Sequence, residues 1–232
     1  MPLDVNVVDL TAPLGPDTVM WPGEPGPTFE VIETVEVDGS FGRRVTLGEH
    51  SGTHFDAPVH FVVGGASVAD IPATQLVAPL RVIDMSSSAE RDADATLSVE
   101  DVAAHEAAHG VVAAGSAVFL HTGWDRFRQD ADTYVGTAHE MRFPGFGVDA
   151  ARLLVERGVV GLGIDTLSVD SGASGDFVIH REVTLPRGVW HVENLVNLAA
   201  LPPVGATVVV GVPKLVGASG FPARVLALVP RD

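Results

Sequence analysis

The chain has 232 residues, 46% of them hydrophobic, and 30 acidic against 14 basic residues give a formal net charge of −16. This length can bury a sizeable core, and we expect a single domain spanning residues 1–232. The acidic balance and the lack of a Lys/Arg-rich run exclude a polyanionic partner such as nucleic acid. No apolar stretch reaches the roughly 18 residues typical of a membrane-spanning helix, so we expect a soluble protein with no membrane partner.

The first predicted element is a β-hairpin. Residues 29–37 and 44–49 alternate between apolar and polar side chains, as half-buried strands do, and Asp38-Gly39 between them is a turn signal. We expect this hairpin to lead into the segment 50–60.

Segment 50–60 concentrates potential metal ligands. Its eleven residues contain His50, His54, Asp56 and His60. Imidazole nitrogen and carboxylate oxygen bind zinc and manganese, and a catalytic site needs about three protein ligands plus an open position for water. The alternative is a cluster of exposed polar loop residues, but four such groups in so short a segment favour a metal site.

The local backbone supports convergence of these groups. Pro58 lacks an N–H and disfavours the helical region at Ala57, which predicts an extended or looped segment. In an extended chain, residues two apart point to the same side, so His54 and Asp56 lie together. Gly52 allows the chain to fold back before them.

Downstream, strands and helices alternate, which predicts a mixed α/β fold. One helix is predicted at 99–109, with Ser98 as N-cap and Gly110 at its end, and another at 149–157, capped by Asp149 and ended by Gly158. The remaining apolar, β-rich segments are predicted core strands: 80–85, 117–121, 159–164, 207–212 and 224–229.

The first of these helices carries a competing metal motif. His105-Glu106-Ala-Ala-His109 matches the His-Glu-x-x-His pattern of zinc metalloproteases. The helix ends at once and no third ligand follows at the required spacing. Asp101, His105 and His109 recur every four residues opposite Val99, so we expect a solvated helix face instead.

Segment 50–60, His-x-Gly-Thr-His-x-Asp-x-Pro-x-His, resembles the signature of the cyclase family of metal-dependent hydrolases, which includes bacterial kynurenine formamidases and isatin hydrolases. The resemblance implies the family's mixed-sheet swivelling β/β/α fold. Further matching segments occur in the family's order: Asp9-Leu10-Thr11, Trp21-Pro22-Gly23, the run 163–170, His180, Glu193-Asn194-Leu195, Lys214-Leu215 and the run 220–224.

The resemblance also implies a set of metal ligands. His50, His54 and Asp56 would bind one ion, and Asp56, His180 and Glu193 a second, so that Asp56 is shared. Oxygen and nitrogen ligands without thiolate admit Zn²⁺ or Mn²⁺. Isatin hydrolases tend to hold one ion, so Glu193 favours two ions per chain, as in the formamidases.

Two further roles follow from the resemblance. His60 would donate and accept the proton, a task suited to a histidine titrating near neutral pH. Trp21 would pack on an aromatic ring of the substrate; the alternative is an ordinary core tryptophan. We expect a supporting or structural role for His191, and structural roles for His121 and His139.

The leading hypothesis is an arylformamidase-like metal-dependent hydrolase that cleaves the amide C–N bond of a small molecule, N-formylkynurenine or a relative. A bound divalent ion lowers the pKa of water to about 7, giving a hydroxide nucleophile, and polarises the carbonyl. The runner-up is ring opening of a cyclic amide or lactone, and a non-catalytic metal-binding or small-molecule-binding protein is the third candidate. The segment 121–147, longer than expected of a formamidase, leaves the substrate open.

Two expectations concern the setting of the protein. The first residues lack the features of a signal peptide and the chain has no cysteine, which favours the cytoplasm. The resemblance and the prevalence of two-fold assemblies favour a homodimer.

Overall fold

The computed structural model describes residues 4–137 and 140–231. In chain order its strands are β1 (Val5–Asp9), β2 (Thr28–Glu33), β3 (Gly42–Thr46), β4 (His54–Asp56), β5 (Val77–Asp84), β6 (Thr96–Leu97), β7 (Ala117–His121), β8 (Gly136–Thr137), β9 (Glu140–Met141), β10 (Gly145–Phe146), β11 (Gly161–Ile164), β12 (Trp190–Glu193), β13 (Ala206–Gly211), β14 (Gly220–Pro222) and β15 (Arg224–Pro230). The α-helices are α1 (Val35–Asp38), α2 (Ser86–Arg91), α3 (Val99–His109), α4 (Ala131–Val135) and α5 (Val148–Glu156). A π-helical turn spans Ile179–Thr184, and 3₁₀ turns span Pro58–His60, Val68–Asp70, Ala73–Gln75, Trp124–Phe127, Leu185–Arg187 and Leu198–Ala200.

A mixed sheet of nine strands organises the molecule, in the order β1-β15-β13-β5-β7-β11-β12-β4-β14. The central strands β5, β7, β11 and β12 are parallel, and the strands on either side of them pair antiparallel. Strands β2 and β3 form a separate antiparallel ribbon. The mixed α/β fold predicted from the sequence is confirmed.

The two faces of the sheet carry separate cores. On β7, Ala117 and Phe119 belong to one core and Val118 and Leu120 to the other, because side chains alternate along a strand. Helices α3 and α5 pack on the second core, to which α5 contributes Leu154. Parallel strands need such cover on both faces.

The first core shows how the sheet curls. It joins Phe55 of β4, near one edge, to Phe119 at the centre and to Ala227 of β15, near the other edge. A sheet curled round one core, with helices on its outer face, is the swivelling β/β/α arrangement that the resemblance implied.

Two glycines of β11 make room for aromatic rings of the first core. A Cβ at Gly161 would lie 2.3 Å from the indole of Trp190, and one at Gly163 would lie 2.4 Å from the ring of Phe119. Trp190 and Phe119 are both fully buried. These positions therefore keep the centre of the sheet in close contact with the strand that carries Glu193.

Several predicted elements match the structure closely. Strand β7 has the predicted bounds, and α3 begins after Ser98, whose side chain and that of Asp101 form a capping box. Gly110, with φ of 85°, ends that helix.

The predicted hairpin is present, but its first strand is shorter than expected. Strand β2 ends at Glu33, and Val35–Asp38 forms the helical turn α1. The Asp38 carboxylate accepts a hydrogen bond from the Thr34 N–H at 2.8 Å, and Gly39, with φ of 76°, donates to the Val35 carbonyl. In this segment, these local hydrogen bonds take the place of the hydrogen bonds that a longer β2 would make with β3.

The predicted start of the second helix is wrong by one residue. Helix α5 begins at Val148 with Gly147 as N-cap, and Asp149 lies in its first turn. The Gly147 N–H donates to the Leu97 carbonyl at 3.0 Å, which fixes the helix start against β6.

The prediction of a solvated face on α3 is wrong at His105, which is buried, although Asp101 and His109 on the same face are exposed. His105 is 8% exposed, whereas Val99 is 37% exposed. Val102 and His105 lie three residues apart and are both buried, because the helix faces the sheet along this line.

The competing metalloprotease motif on α3 does not form a metal site. Glu106 is engaged by the Arg157 guanidinium in two hydrogen bonds of 3.0 Å. Within residues 4–137 and 140–231, no group of three ligand atoms gathers around His105 and His109. Over the same residues, no helix is long and apolar enough to cross a membrane.

We predict that Gly161→Ala destabilises the fold, because its Cβ would overlap the buried Trp190 ring. Overpacking of this kind costs about 1–3 kcal/mol. Urea denaturation measures the loss. Gly175→Ala is the control, since a Cβ there meets no atom within 4 Å; equal stability of the two variants would contradict the prediction.

Candidate active site

The register between β4 and β12 builds the centre of the site. These antiparallel strands pair Asp56 with His191 and His54 with Glu193. Because side chains alternate, all four point to one face, while Phe55 points into the first core. All four polar side chains are buried, with 0 to 4% exposure.

The turn before β4 brings His50 back to this centre, as predicted. Gly52 has φ of 61°, and the His50 Nδ1 lies 2.6 Å from an Asp56 oxygen. The other ring nitrogen of His50 lies 2.9 Å from the Ser219 hydroxyl. A Cβ at Gly220 would lie 2.5 Å from this ring, so a glycine is required beside it.

His180 reaches the centre from the π-helical turn. Its Nδ1 lies 2.6 Å from Asp170, and its Nε2 lies 3.5 Å from Asp56 and 3.4 Å from Glu193. Asp170 also accepts hydrogen bonds from the backbone N–H groups of Ile179 and His180. Turns of this rare type often occur at functional sites.

The donor set fits a divalent cation. His54 Nδ1 lies 2.8 Å from the Gly52 carbonyl and so donates to it, leaving Nε2 as a lone pair 3.3 Å from Asp56 and 3.4 Å from Glu193. One oxygen of Asp56 is buried and accepts no hydrogen bond from the residues that the structure describes. Buried carboxylates of this kind are paired or coordinate metals.

The electrostatics of the cluster also favour a cation. Burial alone lowers the pKa of His54, but the Asp56 and Glu193 carboxylates outweigh it and raise the pKa to about 10. Burial likewise opposes the charged form of His180, yet Asp170, Asp56 and Glu193 raise its pKa well above the usual value. The field at the ring nitrogens therefore attracts positive charge strongly.

His60 lies beside this cluster on the 3₁₀ turn Pro58–His60. Its ring stacks on that of His50, with centroids 3.8 Å apart. Burial lowers the pKa of His60 to about 4, so the neutral imidazole, able to accept a proton, dominates at neutral pH.

A cavity of about 260 Å³ opens onto the cluster, and one of its walls is aromatic. Trp21 and Phe177 contact each other with ring centroids 5.5 Å apart, and Phe61 and Phe177 with centroids 5.7 Å apart. The described residues that line the cavity include Glu24 and Glu49 but no lysine or arginine. The cavity therefore suits a flat ligand without an anionic tail.

The structure gathers every predicted site residue in one place. Asp56 is buried behind the cavity, and the other six line it: Trp21, His50, His54, His60, His180 and Glu193. His121 lies elsewhere, 3.1 Å from Asp84, and His139 lies outside the described residues.

Sequence reasoning missed the residues that support the cluster. Asp170 lies in one of the segments that resemble the family, but nothing in the sequence indicated that it contacts His180. Ser219 and Glu49, joined by hydrogen bonds from the Ser219 N–H and hydroxyl, are 170 residues apart in the chain and gave no signal. Phe61 and Phe177 had no distinguishing pattern.

Comparison with known proteins agrees with this geometry. A family model described as putative cyclase matches residues 8–171. An isatin hydrolase from Roseibium aggregatum is 32% identical over 98% of this chain and 93% of its own length, and a kynurenine formamidase from Bacillus mycoides is 29% identical over 82% of this chain and 81% of its own.

Solved structures extend the likeness to three dimensions. The crystal structure of an isatin hydrolase bound to the product analogue thioisatinate has a TM-score of 0.92 at 32% identity and covers 98% of this chain and 94% of the other. Isatin hydrolase A from Ralstonia solanacearum has a TM-score of 0.90 at 34% identity, with 97% and 92% covered.

We predict that Asp170→Asn weakens divalent-metal binding by about 10- to 100-fold, the usual effect of removing a carboxylate that orients a metal-binding histidine. Isothermal titration calorimetry of the metal-free variant and wild-type proteins with Zn²⁺ measures the two affinities. Asp84→Asn, which alters a similar pair with His121 away from the cavity, is the control. Unchanged affinity in Asp170→Asn would remove the assigned role of this carboxylate.

Proposed function

Because the chain belongs to the cyclase family and is a metal-dependent hydrolase, we propose that it opens the ring of a cyclic amide fused to an aromatic ring, as in isatin. One observation carries the proposal: the cavity has a His/carboxylate cluster at its base, an aromatic wall and no basic lining residue among those described. The 32% identity to an isatin hydrolase over nearly the whole chain supports it.

We assign the metal ligands on the same basis. His50, His54 and Asp56 hold one divalent ion, and Asp56, His180 and Glu193 hold a second. The distances of 2.6–3.5 Å between Asp56 and these imidazoles support the assignment. Zn²⁺ or Mn²⁺ suits this nitrogen and oxygen set, and such an ion supplies an activated water and polarises the amide carbonyl.

His60 carries the proton in this proposal. Its neutral ring accepts a proton from the attacking water, and the resulting imidazolium delivers it to the amide nitrogen as the C–N bond breaks. The stacked His50 ring and the adjacent Phe61 hold His60 at the edge of the cavity.

The aromatic wall positions the substrate. Trp21, with Phe177 against it, offers a flat face to the fused ring and places the amide carbonyl toward the cluster. A volume of about 260 Å³ is below the roughly 300–1,000 Å³ of pockets for drug-sized ligands, which favours a compact bicyclic substrate.

Cleavage of an aryl formamide such as N-formylkynurenine is the second candidate. The observation in its favour is the position of Glu193, with one oxygen 3.4 Å from His54 and the other 3.4 Å from His180, which suits a carboxylate shared between two ions. The 29% identity to a kynurenine formamidase adds support. Membership of a hydrolase family counts against a non-catalytic binding protein.

We also propose that the protein is a homodimer. The β2–β3 ribbon exposes Val31, Ile32 and Phe41 by 52 to 62%. A two-stranded ribbon with exposed apolar side chains is marginal alone in water and is stabilised by packing on a partner. Light scattering coupled to gel filtration tests this.

We predict chelator-sensitive turnover of isatin that exceeds turnover of N-formylkynurenine. Removal of the divalent ion should abolish it, and Zn²⁺ or Mn²⁺ should restore it. Product formation by absorbance, with metal content measured in the same samples, gives the result. Faster cleavage of the formamide would favour the second candidate, and turnover that survives complete metal removal would refute the proposed chemistry.

We predict that His60→Ala lowers kcat/KM by about 10²- to 10⁴-fold, the usual contribution of a general acid–base group. Metal content should remain at the wild-type level, because His60 is assigned no metal. His121→Ala, outside the cavity, is the control and should leave kcat/KM unchanged. A similar loss in both variants would show a general structural effect.

A further inference from the structure

His191 is buried against the cluster, and among the described residues one of its ring nitrogens has no hydrogen-bond partner. The residue is 0% exposed on β12. Its Nδ1 lies 3.8 Å from an Asp56 oxygen, Oδ2, that also makes no hydrogen bond within the part of the chain that the structure describes. Buried polar atoms are nearly always satisfied, so two that face each other point to a shared partner.

The hydrogen bonds of Thr184 fix the tautomer of His191. The Thr184 hydroxyl donates to the Ile179 carbonyl at 2.7 Å, so its oxygen can only accept from His191 Nε2, also at 2.7 Å. Nε2 therefore carries the hydrogen, and Nδ1 presents a lone pair toward Asp56.

The same reasoning applies to His180. Its Nδ1 donates to Asp170 at 2.6 Å, so in the neutral ring, the form that binds a metal, Nε2 presents a lone pair 3.5 Å from Asp56 Oδ2 and 3.4 Å from Glu193. One ligand atom from each of Asp56, His180, His191 and Glu193 lies within 4.8 Å of the other three. With both imidazoles neutral, four electron-pair donors converge on one point.

The spacing suits one small cation. Two ligands at about 2.0–2.1 Å from a tetrahedral ion lie about 3.3–3.4 Å apart. The measured separations of 3.4, 3.5 and 3.8 Å need only a small contraction to meet this geometry.

We propose that His191 Nδ1 is a fourth protein ligand of the divalent ion held by Asp56, His180 and Glu193, with Thr184 holding the ring in the metal-binding tautomer. The inference rests on the proposed function, which places an ion there. Four protein ligands close a tetrahedral site, as in structural zinc centres, so this ion stabilises the strand pair β4–β12. The open coordination position then belongs to the other site, next to His50, His54 and His60.

The test is metal binding by the metal-free protein, measured by calorimetric titration with Zn²⁺ and by metal content. His191→Gln retains a polar group that can reach Thr184 but removes the Nδ1 donor, and it should weaken the tighter of two binding events at least 100-fold. Thr184→Val, which is nearly isosteric, should weaken the same binding event about 10- to 100-fold, because the His191 ring is then no longer held in the metal-binding tautomer. If His191→Gln does not fold, Thr184→Val still tests the proposal.

His105→Gln is the matched control, because His105, on α3, is another buried histidine with a ring nitrogen that pairs with none of the residues in 4–137 and 140–231. It should bind metal as the wild type does. Wild-type stoichiometry and affinity in folded His191→Gln and Thr184→Val would overturn the inference and identify His191 as a structural residue. A wild-type protein that binds no Zn²⁺ or Mn²⁺ would instead overturn the proposed function.

Discussion

The antiparallel register of β4 against β12 is the constraint on which the site depends. It sets Asp56 opposite His191 and His54 opposite Glu193, and a slip of either strand by one residue would turn the two polar side chains of that strand into the apolar core. The close approach of Trp190 to Gly161 holds β12 in place beside the parallel strands. The packing of the sheet centre therefore also determines where these polar side chains lie.

Burying two carboxylates side by side is costly unless positive charge accompanies them. The Gly52 carbonyl and Asp170 each accept a hydrogen bond from Nδ1 of a ring, of His54 and of His180 respectively, so that Nε2 of each ring faces Asp56 and Glu193. Such outer contacts orient metal-binding histidines. The arrangement suits cations, because without a bound ion the two rings must themselves carry the positive charge that the carboxylates require, as their raised pKa values indicate.

The sequence predicted the local parts of this architecture and missed the long-range ones. Convergence of His54 and Asp56 followed from strand periodicity, and a fold-back by His50 from Gly52. His180 and Glu193 could be assigned only through the family resemblance, because no local pattern distinguishes them. The position of His191 depends on the β4–β12 register, and the burial of His105 depends on which side of α3 meets the sheet; neither is encoded locally.

The charge pattern of the cavity bears on the choice between the two candidate reactions. N-formylkynurenine carries an α-carboxylate and an α-ammonium remote from the bond that breaks. The described lining offers Glu24 and Glu49 to the ammonium but no lysine or arginine to the carboxylate. Ring opening of a neutral cyclic amide creates its carboxylate at the carbon under attack, beside the proposed cations. Negative charge then develops only where positive charge is held, so ring opening needs no basic side chain elsewhere on the described lining.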